Sequence, residues 1–264
     1  MSSTFLEMIT AKTRERVARV KTDHYLDAFR RRAEQVRADR SPHALREALS
    51  SKDRINIIAE IKRASPSKGV INANIDPAAQ ARHYAGNGAA AISVLTEPDH
   101  FMGSLDDLIK VRKAVTTPIL RKDFIVDEYQ IYEAAAAGAD GILLIVAALP
   151  LDELSSLRQI AQDKLGLDAL VEIHTLDELN IARDVGAKII GVNNRDLHSL
   201  EVSLDVSREL IKHKPDGVLM VAESGLSTRD EIDELHDIGF DGFLIGETLM
   251  RHPENLVSLT GGAA

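Results

Sequence analysis

The chain has 264 residues, 44% of them hydrophobic and 28% charged, enough for one large domain or two small ones with a sizeable core. It contains no cysteine, which removes disulfides, thiolate nucleophiles and cysteine metal sites together. A net charge of −9 and a pI near 5.5 argue against nucleic acid or an anionic membrane as the main partner. An anionic small molecule would need local positive charge.

The N-terminal stretch has no apolar core and carries Glu7 and Glu15, so it reads as neither a signal nor a transit peptide. The longest apolar run, Gly141 to Leu149, falls far short of the ~18 residues of a membrane span. A cytoplasmic protein is expected. Thr4-x-x-Glu7 is a capping box, and the segment after it is predicted helical to about Arg37. Its run Arg30-Arg31-Arg32 fits a solvated face with snorkelling stems better than a nucleic-acid patch in so acidic a chain. Ser41-Pro42 predicts a short helix with Ser as N-cap and Pro at the first position. Residues 1–54 thus form a helical extension.

The stretch Ile55 to Ser67, INIIAEIKRASPS, begins as a buried strand. Glu60 and Lys62 then arrive in register with Ile58, on the same face. Ionised groups in line with a core face are costly unless paired or used. A charged strand end running into a Ser/Gly loop has the character of an active-site lip.

From there a pattern repeats. Gly88, Gly138, Gly186 and Gly239 recur at intervals of about 50 residues, each closing a helix in the left-handed C′ conformation just before an apolar strand. One further strand lies between each pair, around Ile119, Leu170 and Leu219. Asp76-Pro77, Ser104-x-x-Asp107, Asp127-x-x-Gln130, Thr175-x-x-Glu178 and Ser227-x-x-Asp230 supply helix starts. Eight strands alternating with helices over residues 55–264, at about 26 residues per unit, predict an α/β fold, a (β/α)8 TIM barrel carrying the helical extension within one domain. A doubly wound sheet would call for a glycine-rich fingerprint after the first strand, which is missing.

In such a barrel the chemistry sits where strands end. Those ends offer Glu60 and Lys62, Leu95-Thr96-Glu97 followed by Phe101, Lys122 in line with Leu120 and followed by Phe124, Glu172 in line with Leu170, Asn193 and Arg195, Glu223, and Leu244 before Gly246. Two lysines and three glutamates on different mouths would converge on one volume and be buried without reward if they had no function. Ser224-Gly225 and Gly246-Glu247 follow strands seven and eight, where backbone N–H groups commonly hold phosphate. Ser65 and Ser67 add hydroxyls, and Lys62, Lys122 and Arg195 supply the positive charge. His174, two residues past Glu172, has no second histidine at ligand spacing and reads as a rim residue rather than a metal ligand. No P-loop, nucleophile elbow or HExxH occurs.

Taken in order, AEIKRASPS, SVLTE with its downstream Phe, LRKDF, VEIH, NNRDL, AESG and FLIGETLM closely resemble the indole-3-glycerol phosphate synthase family. The resemblance implies a cofactor-free, metal-free lyase of tryptophan biosynthesis acting on 1-(2-carboxyphenylamino)-1-deoxyribulose 5-phosphate. It implies Lys122 as general acid, Glu172 as general base, Lys62 on the substrate carboxylate and as a candidate acid in the later dehydration, Glu60 setting the lysines, and Asn193 on a substrate hydroxyl or the developing oxyanion. Phe101 and Phe124 would wall the anthranilate ring, Ser65, Ser224, Gly225 and Gly246 would hold the phosphate, and Arg195, Glu223 and Leu244 would also bind the substrate. At Glu247 many relatives carry a small hydroxyl residue, so this carboxylate should turn outward. The expected partner is a small phosphorylated substrate, and the expected state a monomer, with a weak homodimer as the alternative. Competing readings are another sugar-phosphate barrel such as phosphoribosylanthranilate isomerase, which would use a cysteine base, and a non-catalytic phosphate-ligand-binding barrel.

Overall fold

In the computed structural model, residues 4–23, 26–196 and 199–261 are described. Eight parallel strands close on themselves: β1 (Ile57–Ile61), β2 (Ala91–Leu95), β3 (Ile119–Lys122), β4 (Gly141–Ile145), β5 (Asp168–Ile173), β6 (Ile189–Asn193), β7 (Leu219–Glu223) and β8 (Gly242–Ile245). Chain neighbours pair throughout, and the ring closes where Ile57, Ile58 and Ala59 of β1 meet Phe243, Leu244 and Ile245 of β8. The predicted (β/α)8 barrel is the observed one.

Alternation sorts the strand residues. Ile58, Leu120, Leu143, Leu170, Ile189, Val221 and Leu244 point inward and form the barrel interior. Their neighbours Ile57, Ile119, Ile142, Ala169, Ile190 and Phe243 point outward beneath the helices. Around the outside run α4 (Pro77–Gly86), α5 (Leu105–Ala114), α6 (Glu128–Ala137), α7 (Leu151–Gln159), α8 (Leu176–Asp184), α9 (Asp205–Leu210), α10 (Arg229–Asp237), α11 (Glu247–Arg251) and α12 (Asn255–Thr260). The four predicted C′ glycines all have positive φ, from 81° at Gly186 to 119° at Gly239.

The extension forms α1 (Phe5–Asp23), α2 (Leu26–Ala38) and α3 (Ala44–Leu49). Thr4 and Glu7 exchange both bonds of the expected capping box. Leu6 and Ile9 of α1 join the interior cluster at one end of the barrel, and Leu45 and Leu49 of α3 join it at the other. Gly141 leaves room for the plug: a Cβ there would lie 2.7 Å from Leu45 Cδ2. Arg31 and Arg32 are exposed, as expected of a solvated face. Arg30 instead pairs with Glu128 of α6 at 3.0 Å and lies over the Tyr132 ring.

Two expected helix starts move. The helix predicted from Ser41 begins at Ala44, behind His43 at φ 56°, with no side-chain cap. Tertiary contacts override the local signal: Arg37 takes the Ser41 carbonyl, and the His43 N–H donates to Gly166 O at 2.8 Å. At α10 the cap is Thr228, one residue past Ser227, because Thr228 and Glu231 complete a reciprocal capping box. Asp76, Ser104, Asp127 and Thr175 cap α4, α5, α6 and α8 as predicted.

Candidate active site

A cavity of about 1000 Å³ opens at the C-terminal mouth of the barrel. Of the residues singled out from the strand ends, Thr96 and Glu97 stand back from it, and the others line it, from Glu60 and Lys62 on and just after β1 to Leu244 and Gly246 on and after β8. Parity explains the convergence. Glu60, Lys122, Glu172 and Glu223 continue the inward-facing rows begun by Ile58, Leu120, Leu170 and Val221.

At the centre stands Lys122. Its Nζ lies 3.0 Å from Glu223 Oε2 and 3.3 Å from Glu172 Oε2. Burial alone would lower the pKa of this amine, but Glu223, Glu172 and Glu60 outweigh it and hold the group above its ordinary range. Across the mouth Lys62 pairs with Glu60 at 2.8 Å. Three carboxylates thus share two ammonium groups. Burial raises the Glu172 pKa, yet Lys122, His174 and the Asn193 amide bring it below the ordinary value. Glu223 is served least. Its Oε1 has no hydrogen-bond partner, and burial together with the charges of Glu172 and Glu60 outweighs Lys122 and pushes its carboxyl up to about 7. Space for Glu223 comes from Gly191 on β6, since a Cβ there would collide with Glu223 Oε1. Gly246 likewise leaves the volume occupied by the Glu60 carboxylate and the Lys62 ammonium.

Asn193 links two parts of the site. Its Nδ2 donates to Glu172 Oε1 at 3.1 Å, while its Oδ1 accepts from the Ser224 hydroxyl at 2.8 Å and from the Arg195 N–H at 3.1 Å. The Ser224 hydroxyl is therefore engaged inside the protein. Ser224 and Gly225 both have positive φ, 65° and 82°, in the turn that leaves β7. Arg195 donates from Nη1 to Leu200 O at 2.9 Å. Ser65 belongs to a two-residue pairing, Ala64–Ser65 with Gly69–Val70, that folds the loop after β1 over the mouth. Glu247 lies at the cavity rim, drawn to Arg251 at 3.2 Å and Lys68 at 3.8 Å.

The opposite wall is aromatic. Phe101 and Phe124 face one another with ring centroids 6.3 Å apart, and Phe5 and Leu6 of α1 complete that side. The β2 loop is held by Glu97, whose fully buried carboxylate accepts the backbone N–H groups of Asp99, His100 and Phe101 at 3.0, 2.7 and 3.1 Å. The β3 loop is held by Asp123, which takes the Thr96 hydroxyl at 2.7 Å and the Arg121 guanidinium at 3.1 Å.

Sequence reasoning missed Gly191, Phe5 and Leu6, and gave no task to Glu97. Gly191 carries a signal in hindsight, a lone glycine within an apolar strand, which often marks a close approach by another group. The contribution of α1 had none, because its contacts with the mouth are made to residues far away in the chain. Chemically, the arrangement offers a charged amine between carboxylates beside an apolar slot, with donors at the far end for an anion.

The family model described as indole-3-glycerol phosphate synthase matches residues 6–259. Relatives bearing that name include one from Carboxydothermus hydrogenoformans, 47% identical over 254 residues and covering 95% of this chain and 96% of its own. One from Exiguobacterium sibiricum is 47% identical over 259 residues, covering 97% and 96%. One from Dehalococcoides mccartyi is 51% identical over 198 residues, covering 74% and 76%. Among solved structures, a thiamine phosphate pyrophosphorylase from Pyrococcus furiosus aligns over 81% of this chain and 95% of its own, with a TM-score of 0.59 at 18% identity. That likeness concerns the fold.

Proposed function

Because the chain belongs to the indole-3-glycerol phosphate synthase family, we propose that its cavity closes the indole ring of 1-(2-carboxyphenylamino)-1-deoxyribulose 5-phosphate with Lys122 as acid and Glu172 as base. The observation that carries this reading is the Lys122 ammonium set between Glu172 and Glu223 at the foot of the Phe101–Phe124 slot.

The ring carbon bearing the carboxylate attacks the ribulose carbonyl, and its oxygen becomes an alkoxide. Lys122 donates a hydrogen bond and then its proton to that oxygen, which the charged amine is suited to stabilise as negative charge develops. Lys62, paired with Glu60 in the free site, turns to the substrate carboxylate. Loss of carbon dioxide restores the aromatic ring. Glu172 then accepts the proton lost from the new five-membered ring while the Lys62 ammonium gives one to the departing hydroxyl, which leaves as water, giving indole-3-glycerol phosphate. Asn193, already bonded to Glu172 Oε1, holds a substrate hydroxyl. Phe101, Phe124 and Leu244 wall the anthranilate ring. Ser65, Arg195, Gly225, Gly246 and the Ser224 backbone receive the phosphate, with the Ser224 hydroxyl left on Asn193.

The same reading takes the protein to work in the cytoplasm as a monomer on one small phosphorylated substrate, without cofactor or metal. Among the described residues no helix is long and apolar enough to cross a membrane. Residues 1–54 are taken as part of the barrel domain. That view is supported by Arg14 on Glu153, Lys21 on Asp127, and Arg16 near Glu97 and Asp123.

The test is to add the carboxyphenylamino-deoxyribulose phosphate, with and without EDTA, and follow indole fluorescence and carbon dioxide. Turnover insensitive to EDTA is expected. Lys122→Ala and Glu172→Gln should each lower kcat about 10²–10⁴-fold while a product analogue still binds. Full turnover by either variant would remove that residue from its role.

A further inference from the structure

Glu172 has a neighbour with no assigned task. The His174 side chain is 10% exposed, and its Nδ1 lies 3.2 Å from Glu178 Oε2, an oxygen that also takes the His174 backbone N–H at 2.6 Å. Glu178 therefore clamps both the ring and the chain that carries it. The other ring nitrogen, Nε2, has no hydrogen-bond partner and faces Glu172 Oε1 across 3.6 Å. That gap is too long for a good hydrogen bond but well within ion-pair range. The groups that face His174 are Glu172 on β5, Glu178 on α8 and Glu223 on β7, all acidic, with Lys122 of β3 on the far side of Glu172. Burial lowers the pKa of the imidazole, but the Glu178 bond and the three carboxylates raise it above its ordinary value.

The charge balance of the mouth gives this ring a purpose. With Glu223 neutral, Glu60 and Glu172 balance Lys62 and Lys122 until Lys122 yields its proton to substrate, which leaves one negative charge in excess; with Glu223 ionised, the excess is one before that step and two after it. A buried carboxylate that loses its only cation turns toward the neutral acid.

We propose that His174 is a positioning residue that acts through Glu172: its imidazolium, clamped by Glu178, keeps the Glu172 carboxylate ionised and Oε1 in place while Lys122 is without its proton. The inference rests on the reading of Glu172 as the base.

His174→Asn keeps a polar atom near Glu178 and removes the charge facing Glu172. Its kcat should fall about tenfold with KM within about twofold, and the acidic limb of the kcat–pH profile should move up by about one unit, because loss of a nearby cation raises a carboxyl pKa. In a Glu172→Gln background the same substitution should cost less than about twofold. An unmoved acidic limb overturns the proposal, as does a tenfold loss that persists without Glu172. Full activity of Glu172→Gln alone would overturn the base reading instead, so the two failures are distinct. Should His174→Asn fail to fold, Glu178→Gln serves: it removes the clamp's charge and should shift the same limb in the same direction, and an unmoved limb refutes the role.

Discussion

Replacing Gly191 by alanine tests the centre of the site without removing any charged group. Gly191 lies on β6, level with Glu172 on β5 and Val221 on β7. An added methyl would collide with Glu223 Oε1 and come within 3.2 Å of both Glu223 Cδ and Leu170 Cδ1. Glu223 has little room to yield. It is 1% exposed, and its other oxygen is bonded to Lys122. Overpacking of this kind costs about 1–3 kcal/mol. At about 2–4 °C per kcal/mol for a chain near this size, the expected loss in Tm is about 2–12 °C. Since the carboxylate is the displaced group, Lys122 loses its 3.0 Å partner and its fixed position, and kcat should fall by up to about 10²-fold with KM little changed. Thermal melts and indole fluorescence report the two effects. In a Glu223→Ala background the methyl would enter the space vacated by the carboxylate, and Gly191→Ala should then cost less than about 0.5 kcal/mol. Wild-type Tm and kcat in the single variant, or the same Tm loss in both backgrounds, would refute the packing argument.

Two further outcomes are expected. The Glu223 carboxyl, raised from 4.5 to about 7, favours its neutral form in the folded protein, so its contribution to stability is complete below pH 4.5 and is lost as pH rises toward 7. Relative to the wild type, Glu223→Gln should therefore gain up to roughly 3 kcal/mol between pH 4.5 and pH 8 in urea unfolding, and a difference that does not vary with pH would count against the buried, underserved carboxylate. Glu97→Gln substitutes an amide donor for one of the oxygens that receive the N–H groups of Asp99, His100 and Phe101. It should cost about 1–3 kcal/mol and raise KM severalfold by freeing Phe101, and an unchanged KM would show that the loop's shape does not depend on that carboxylate.

What was legible in the chain was whatever is written locally. The parity of Lys122 with Leu120, or of Glu172 with Leu170, needs only a period of two, and the C′ glycines need only the helix they end. The ring of mouths followed from repeating those local signs eight times. Relations across strands were hidden. Gly191 makes sense only beside Glu223, thirty-two residues on, and His174 reads as a rim residue until Glu178 is seen to turn its free nitrogen toward Glu172. The displaced start of α3 has the same origin: Ser41 and Pro42 carry a sound helix signal, but Arg37 and Gly166 claim that backbone.

The pairing of β1 with β8 bears on how the chain is made. Until Gly242 to Ile245 leave the ribosome, β1 has only β2 beside it, and its other edge is a bare row of peptide groups. Asn56 waits equally long, since its amide reaches Asp241 O across 185 residues, and the Lys52–Asp241 bond spans 189. All eight strands must therefore be synthesised before the first is sealed. Contacts of such sequence separation slow folding and lengthen the time in which an open edge can find a wrong neighbour. The nascent chain, more than the finished barrel, is where this protein is exposed to aggregation.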